Sequence, residues 1–220
     1  MLTVSHDAFS VESDLAAGRL ACPGCAGVLR PWGWARARFI RHGAGEPCIP
    51  VCHRPRRGRC QRCSVTHVLL GVDLAARRAD TAAVIAAAVE AKAAGGRGHR
   101  VIAAWLGRPV STVRGWLRAF TAAAPRITEA FTALVHRDGT DAAGIWPAAA
   151  PTPAGRALSA VMAYARVLAA RFGIVTMTWQ AAGLAAAGAW FFSASWHGHG
   201  QHELALMPAV PGGKGGRNAG

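Results

Sequence analysis

Two C-x-x-C pairs constrain this chain more than any other feature. CPGC stands at 22–25 and CQRC at 60–63, with 34 residues between them. Two thiolates in a tight turn can face one cation, and two such turns complete a tetrahedron. Zn2+ suits four sulfurs because its filled d shell imposes no geometry and it has no redox chemistry. Pro23 and Gly24 favour a turn inside the first pair. The intervening stretch is long enough for strands to carry the second pair back to the first, as in a ribbon. The spacing therefore predicts a structural Zn2+ on Cys22, Cys25, Cys60 and Cys63. Four thiolates leave no open coordination position, so such an ion supplies folding energy rather than catalysis.

Other donors lie nearby. Cys48 and Cys52, four residues apart, could replace a ligand of either pair, and are read as structural or spare thiols beside His53. His67, just past the second pair, is read as a packing or backbone-bonding residue. The stretch WHGHGQH offers His197, His199 and His202, but no carboxylate or cysteine converges on it in sequence, and it is read as a polar loop. The first 18 residues have neither a basic start nor an apolar run, so no export signal is expected. Without export, six cysteines read as metal ligands and free thiols rather than disulfides.

Charge is concentrated. Residues 30–126 hold 18 Lys+Arg against four acids, Glu46, Asp73, Asp80 and Glu90, and so carry the chain's entire net charge of +14. A segment of that kind favours a polyanion. Arg54, Arg56, Arg57, Arg59 and Arg62 crowd the second cysteine pair. Some of them offset the double negative charge of a zinc tetrathiolate. The rest, with Arg56 and Arg57 as candidates, can hold phosphates, and Trp32 and Trp34 offer stacking or packing surfaces.

The segment HRVIAAWLGRPVSTVRGWLR at 99–118 fits a helix-turn-helix. Ala103 is small where two helices must approach, and Gly107 stands where the turn needs positive φ. Ile102, Leu106, Val110, Val113 and Trp116 recur at positions that can bury. A preceding Ala-rich helix, capped by Asp80 and stopped by Gly95 and Gly96, completes a tri-helical core. The exposed face of the last helix then carries Ser111, Thr112, Arg114 and Arg118 toward base edges, while Arg97, Arg100 and Arg108 flank the unit for phosphate contacts. Pro125 is expected just beyond that helix, and a further amphipathic run follows at 127–136.

The expected fold is mainly α with a small N-terminal β-rich zinc ribbon, a tri-helical helix-turn-helix core and a C-terminal helical module. Its divisions are a leader at 1–19, the ribbon at 20–70, the helix-turn-helix domain at 75–125, the helical module at 127–195, and a loop and flexible tail at 196–220. RARFIR at 36–41 and CIPVC at 48–52 read as paired strands in the ribbon. The uncharged stretch 173–196 is long enough to span a bilayer, but its Gln180, glycines and alanines favour buried helix over membrane helix.

With CPGC, CQRCSVTHVLL at 60–70, RRAD at 77–80, GHRVIAAWLGRPVSTVRGWLRAF at 98–120 and RFGIVTMTWQAA at 171–182, the chain resembles a group of bacterial transposase-like proteins. These pair an N-terminal zinc ribbon with an insertion-element-type helix-turn-helix. The resemblance covers most of residues 20–195. It implies DNA binding, zinc on the four cysteines, and 99–118 as the reading unit. Three separated carboxylates on a mixed core would be needed for a metal-dependent transposase. Glu129, Asp138, Asp141 and Glu203 are the acids after residue 126, and no apolar β-runs frame them, so no enzyme is expected. The expected partner is double-stranded DNA, in a nucleoid-associated cytoplasmic regulator that dimerises through its C-terminal helices. An accessory or remnant component of an insertion element, a membrane-tethered regulator and a ribbon that binds only protein are the alternatives.

Overall fold

The computed structural model describes residues 1–45, 48–139 and 142–193. Helices dominate, and a small mixed sheet occupies the N-terminal third. The chain begins with strand β1 (Leu2–Val4) and helix α1 (Ala8–Ala17). Strands β2 (Leu29–Trp34), β3 (Arg38–Arg41), β4 (Pro50–His53), β5 (Arg56–Cys60) and β6 (Thr66–Gly71) follow. One sheet has the order β1-β6-β5-β2, with β1 parallel to β6 and the other neighbours antiparallel.

The expected leader is instead part of this fold. Asp7 caps α1 by accepting from the N–H groups of Phe9 and Ser10, and Gly18 closes it at φ 72°. Val4, Val11, Leu15 and Leu20 then bury against Leu29, Leu69, Cys22 and Cys60 in one small core. A three-residue strand is too short for periodicity alone to register it.

The expected hairpin forms as β3 and β4, paired antiparallel from Arg38 opposite His53 to Arg41 opposite Pro50. Pro50 stands at the first residue of its strand, where a missing N–H is tolerated.

The rest is helical: α2 (Ala82–Ala93), α3 (His99–Leu106), α4 (Val110–Asp138), α5 (Ala142–Ile145), α6 (Pro153–Phe172), α7 (Trp179–Ala187) and a 3-10 turn at Gly188–Trp190. Helices α3 and α4 meet at Gly107, in the left-handed region at φ 62°. Ile102, Ala103, Leu106, Val113 and Trp116 are buried as expected, whereas Val110 is 42% exposed.

Helix α4 does not stop before Pro125. It runs 29 residues through it, so the boundary expected at 126 falls inside a helix. A proline in a helix interior costs about 3 kcal/mol. Here Pro125 is exposed, and the residues around it compensate by burial: Ala123, Ala124, Ile127, Phe131 and Val135 all pack into the core shared with α6 and α7. That core is continuous from α2 to Phe192, so the expected helix-turn-helix and C-terminal segments share one apolar interior. Its centre is aromatic, with Phe120, Phe131, Tyr164, Trp179, Phe191 and Phe192 in edge-to-face pairs. Within 173–196, α7 spans nine residues. Among the described residues no helix is long and apolar enough to cross a membrane.

Asp80 is not the cap of α2; Thr81 holds that position. The Asp80 carboxylate is buried and joins two arginines, accepting from Arg41 at 2.7 Å and from Arg108 at 2.5 Å. Arg108, expected at a phosphate, has a fully buried side chain. It donates also to the carbonyls of Leu106 and Gly43 and to Cys48 Sγ. It ties the β3–β4 hairpin to the α3–α4 turn and is unavailable to DNA. Backbone bonds strengthen that junction, from Gly45 N–H to the Leu106 carbonyl and from Arg41 N–H to the Ala79 carbonyl. A second seam joins the sheet to the far end of the chain: Ile40, Leu70, Leu74 and Ala76 pack with Ala189, whose N–H donates to Thr3 Oγ1 at 2.8 Å.

Candidate functional site

The two cysteine turns have different sequences, CPGCAG and CQRCSV, yet the same backbone. In the first, Cys22 N–H donates to the Gly27 carbonyl at 2.8 Å, and Ala26 N–H returns to the Cys22 carbonyl at 2.8 Å. In the second, Cys60 N–H donates to the Val65 carbonyl at 2.9 Å, and Ser64 N–H returns to the Cys60 carbonyl at 3.0 Å. The residue after each turn is left-handed, Ala26 at φ 57° and Ser64 at φ 61°. Neither is glycine, so each turn carries backbone strain that the site must offset. The sheet register brings the turns together, because Leu29 opposes Cys60 across β2 and β5.

The ligand atoms of Cys22, Cys25, Cys60 and Cys63 all lie within 4.8 Å of one another, a group that could hold a metal ion. Cys22 Sγ is 3.7 Å from Cys63 Sγ, and Cys25 Sγ is 3.5 Å from Cys60 Sγ. A tetrahedron with metal–sulfur bonds of about 2.3 Å has sulfurs about 3.8 Å apart. The donor set and its spacing therefore fit zinc. Gly27 makes the approach possible, since a Cβ there would stand 2.6 Å from Arg62 Cβ and 2.9 Å from Cys60 Sγ.

The sulfurs differ electrostatically. Amide N–H groups of Cys63 and Arg62 point at Cys60 Sγ, at 3.5 and 3.3 Å. The Cys63 amide leads the causes that lower the Cys60 thiol to about 6. Cys63 is pushed the other way, to about 12: the Val65 amide favours its thiolate, but the neighbouring sulfurs, Cys25 first, and burial outweigh it.

His67 is more than packing. Its ring is buried, and Nε2 lies 3.3 Å from Cys22 Sγ. Burial lowers its pKa and keeps the ring neutral, so that one nitrogen can donate to a thiolate. Its place seven residues after Cys60, inward on β6 opposite Gly58, is the signal that spacing alone did not interpret. His67→Ala should weaken metal affinity roughly 10–100-fold, the range for losing an outer-shell partner. His67→Gln, which still carries a donor, should recover much of it. Competition with a chromophoric chelator measures both, and unchanged affinity in His67→Ala would remove the histidine from the site. Cys48 and Cys52 lie on the separate β3–β4 hairpin and its loop. Cys48 Sγ donates to the His42 carbonyl at 3.3 Å.

The other expected site residues divide. Ser111, Arg114 and Arg118 are exposed on the first turns of α4, and Thr112 is half-buried. Positions 111, 114 and 118 share one face and span about 10 Å along the axis. Arg97 and Arg100 are exposed at α3, with the Arg97 guanidinium 5.8 Å from the Trp105 ring. Gly115 lies on the same exposed surface, with open space where a Cβ would stand. Arg56 is engaged: it pairs with Glu12 at 2.5 Å, donates to the Gly33 carbonyl and covers the Trp34 ring. Arg57 is half-buried, and its Nε has no hydrogen-bond partner among the described residues. His197, His199 and His202, with the expected flexible tail, lie outside the described residues, as do Asp141 and Glu203. Asp138, expected in a linker, ends α4 and accepts from Arg137 and the Tyr164 hydroxyl.

Comparison with protein-family models, with curated proteins and with solved structures finds no match to this chain.

Proposed function

We propose that this chain is a sequence-specific double-stranded DNA-binding protein, built on a structural Zn2+ at Cys22, Cys25, Cys60 and Cys63 and acting as a transcriptional regulator. The observation that carries the reading is the exposed start of α4. Ser111, Arg114 and Arg118 stand on one face of a helix whose other face is locked into the core, and no acid shares that stretch. Entry of such a face into a major groove places Arg114 and Arg118 against base edges, where arginine bonds guanine bidentately. The left-handed Gly107 and the short turn hold α3 across the helix start, and exposed Arg97 and Arg100 suit phosphates on either side. No group in this reading carries out covalent chemistry.

Selection from a random duplex library with zinc-loaded protein at fixed salt tests it. An enriched motif supports base reading, and a palindromic one indicates a dimer. Retention of duplex without any motif reduces the activity to charge attraction, and no retention at low salt removes DNA altogether. Within an enriched motif, Arg114→Ala should cost roughly 1–3 kcal/mol at one base position and relax specificity there. Arg100→Ala should weaken all sequences alike and lower the salt slope by about 1. Equal effects of the two variants on every sequence would show that α4 does not read bases.

A further inference from the structure

The outer face of the N-terminal sheet is a second surface, separate from α4. The register fixes its composition. Arg30 opposes Arg59 across β2 and β5, while Thr66 opposes Arg59 and Val68 opposes Arg57 across β5 and β6. Opposed residues share a face, and side chains two apart along a strand share it too. Arg30, Trp32, Arg57 and Arg59 therefore lie on one face, and Leu29, Cys60 and Leu69 lie on the other, against α1. The bulge between Pro31 and Trp34 separates Trp34 from this group and pairs it with Arg56 and Glu12 instead.

Trp32 is 51% exposed on this face, beside arginine. The Arg59 guanidinium covers it at 4.5 Å from the ring centroid. Arg59 is held in place by donation from Nε to the Ser64 carbonyl, whereas the Arg30 guanidinium turns over the sheet edge to the Ala16 carbonyl of α1 at 2.7 Å. Among the described residues neither of these arginines, nor Arg57, forms an ion pair with a carboxylate. An arginine without a counter-anion lying over an open indole, with Arg57 on the same face, has two unmet demands: negative charge and a flat π-surface.

We propose that this face binds an unpaired stretch of single-stranded DNA, with one base stacked on the Trp32–Arg59 pair and its phosphates on Arg59 and Arg57. A duplex meets only half of the demand, because its bases are stacked on one another and show no free face. An unpaired strand supplies bases for the indole and guanidinium planes together with phosphates for the arginines, the combination used by single-strand grooves. An acidic peptide would satisfy the charges but leave Trp32 without a ring to stack. The assignment to DNA over RNA rests on the duplex reading of α4; the surface itself does not.

The test is fluorescence anisotropy of a labelled oligo(dT) of about 15 nucleotides, within the usual site size, against the zinc-loaded full chain at fixed salt. Trp32→Ala and Arg59→Ala should each weaken binding roughly tenfold, in the range of one lost stacked base. Trp32→Phe should retain most of it. The affinity of these variants for a duplex motif should stay as in the unmodified chain, and Arg114→Ala should show the reverse pattern. Absence of oligo(dT) binding by the unmodified chain overturns the proposal. So does wild-type binding by Trp32→Ala, or an equal loss for duplex and single strand, which would mean one undivided basic surface. Tighter binding of oligo(U) overturns the assignment to DNA. Binding of oligo(dT) with no duplex affinity would instead defeat the reading of α4 and leave this surface standing.

Discussion

Removal of the metal should unfold the N-terminal module while leaving the helices in place. The small core under the sheet has eight buried residues, two of which are the candidate ligands Cys22 and Cys60. Structural zinc sites in small modules contribute apparent free energies of about 10–16 kcal/mol, more than such a core can replace. The helical core, from Ala75 to Phe192, shares none of these residues. A strong chelator should therefore abolish amide protection across β2, β5 and β6 and leave most helical circular dichroism intact. Cys60→Ser should do the same without chelator. Acidification should act in the same direction. The Cys63 thiol is held up to about 12, so it is protonated at neutral pH in the absence of metal. Zinc must displace that proton, and affinity should rise with pH through the neutral range. Metal-free protein, verified by native mass spectrometry, that keeps full amide protection in β5 would show that zinc does not hold the module together.

The second large effect belongs to Asp80. Its carboxylate accepts from Arg41 and Arg108 at 2.7 and 2.5 Å, and Arg108 is fully buried around it. Asp80→Ala would leave that guanidinium buried beside a second cation, with only carbonyls and a thiol as partners. Breaking one side of a buried pair typically costs about 3–5 kcal/mol. For a chain of this size that lowers the midpoint of thermal unfolding by roughly 6–20 °C. Asp80→Asn keeps an acceptor and should fall between. Replacing the pair together, as Asp80→Ala with Arg108→Met, removes the stranded charge and should recover part of the loss. Calorimetry separates these outcomes. A single Asp80→Ala variant melting like the unmodified chain would mean that water reaches Arg108 and solvates it.

The parts of this architecture that depend on nearby residues are legible in the sequence. Two C-x-x-C pairs specify their own turns, and Gly107-Arg108-Pro109 marks the break between α3 and α4 at the observed residues. The misread parts depend on distant partners. Asp80 before an Ala-rich run has the local appearance of a cap, and only its approach to Arg41 and Arg108, 39 and 28 residues away, makes it an ion-pair centre. Arg108 beside a helix start looks like a phosphate contact until the hairpin closes over it. Pro125 is a helix breaker by intrinsic preference, and burial of Ile127, Phe131 and Val135 against α6 overrides that preference. The place of His67 seven residues after Cys60 acquires meaning only through the pairing of β6 with β5, which brings its ring to Cys22.

The seam between Thr3 and Ala189 has a consequence for the order of events during synthesis. Strand β1 is made before both of its partners: its sheet neighbour is residues 69–71, and the N–H bonded to Thr3 lies 186 residues downstream. At about 5–20 residues per second, that last partner arrives roughly 10–40 s later. In the interval Leu70 and Ile40 lack the Ala189 contact that closes over them. Capture of a metal ion by the four cysteines, all translated by residue 63, would hold the sheet in register until the C-terminal helices emerge.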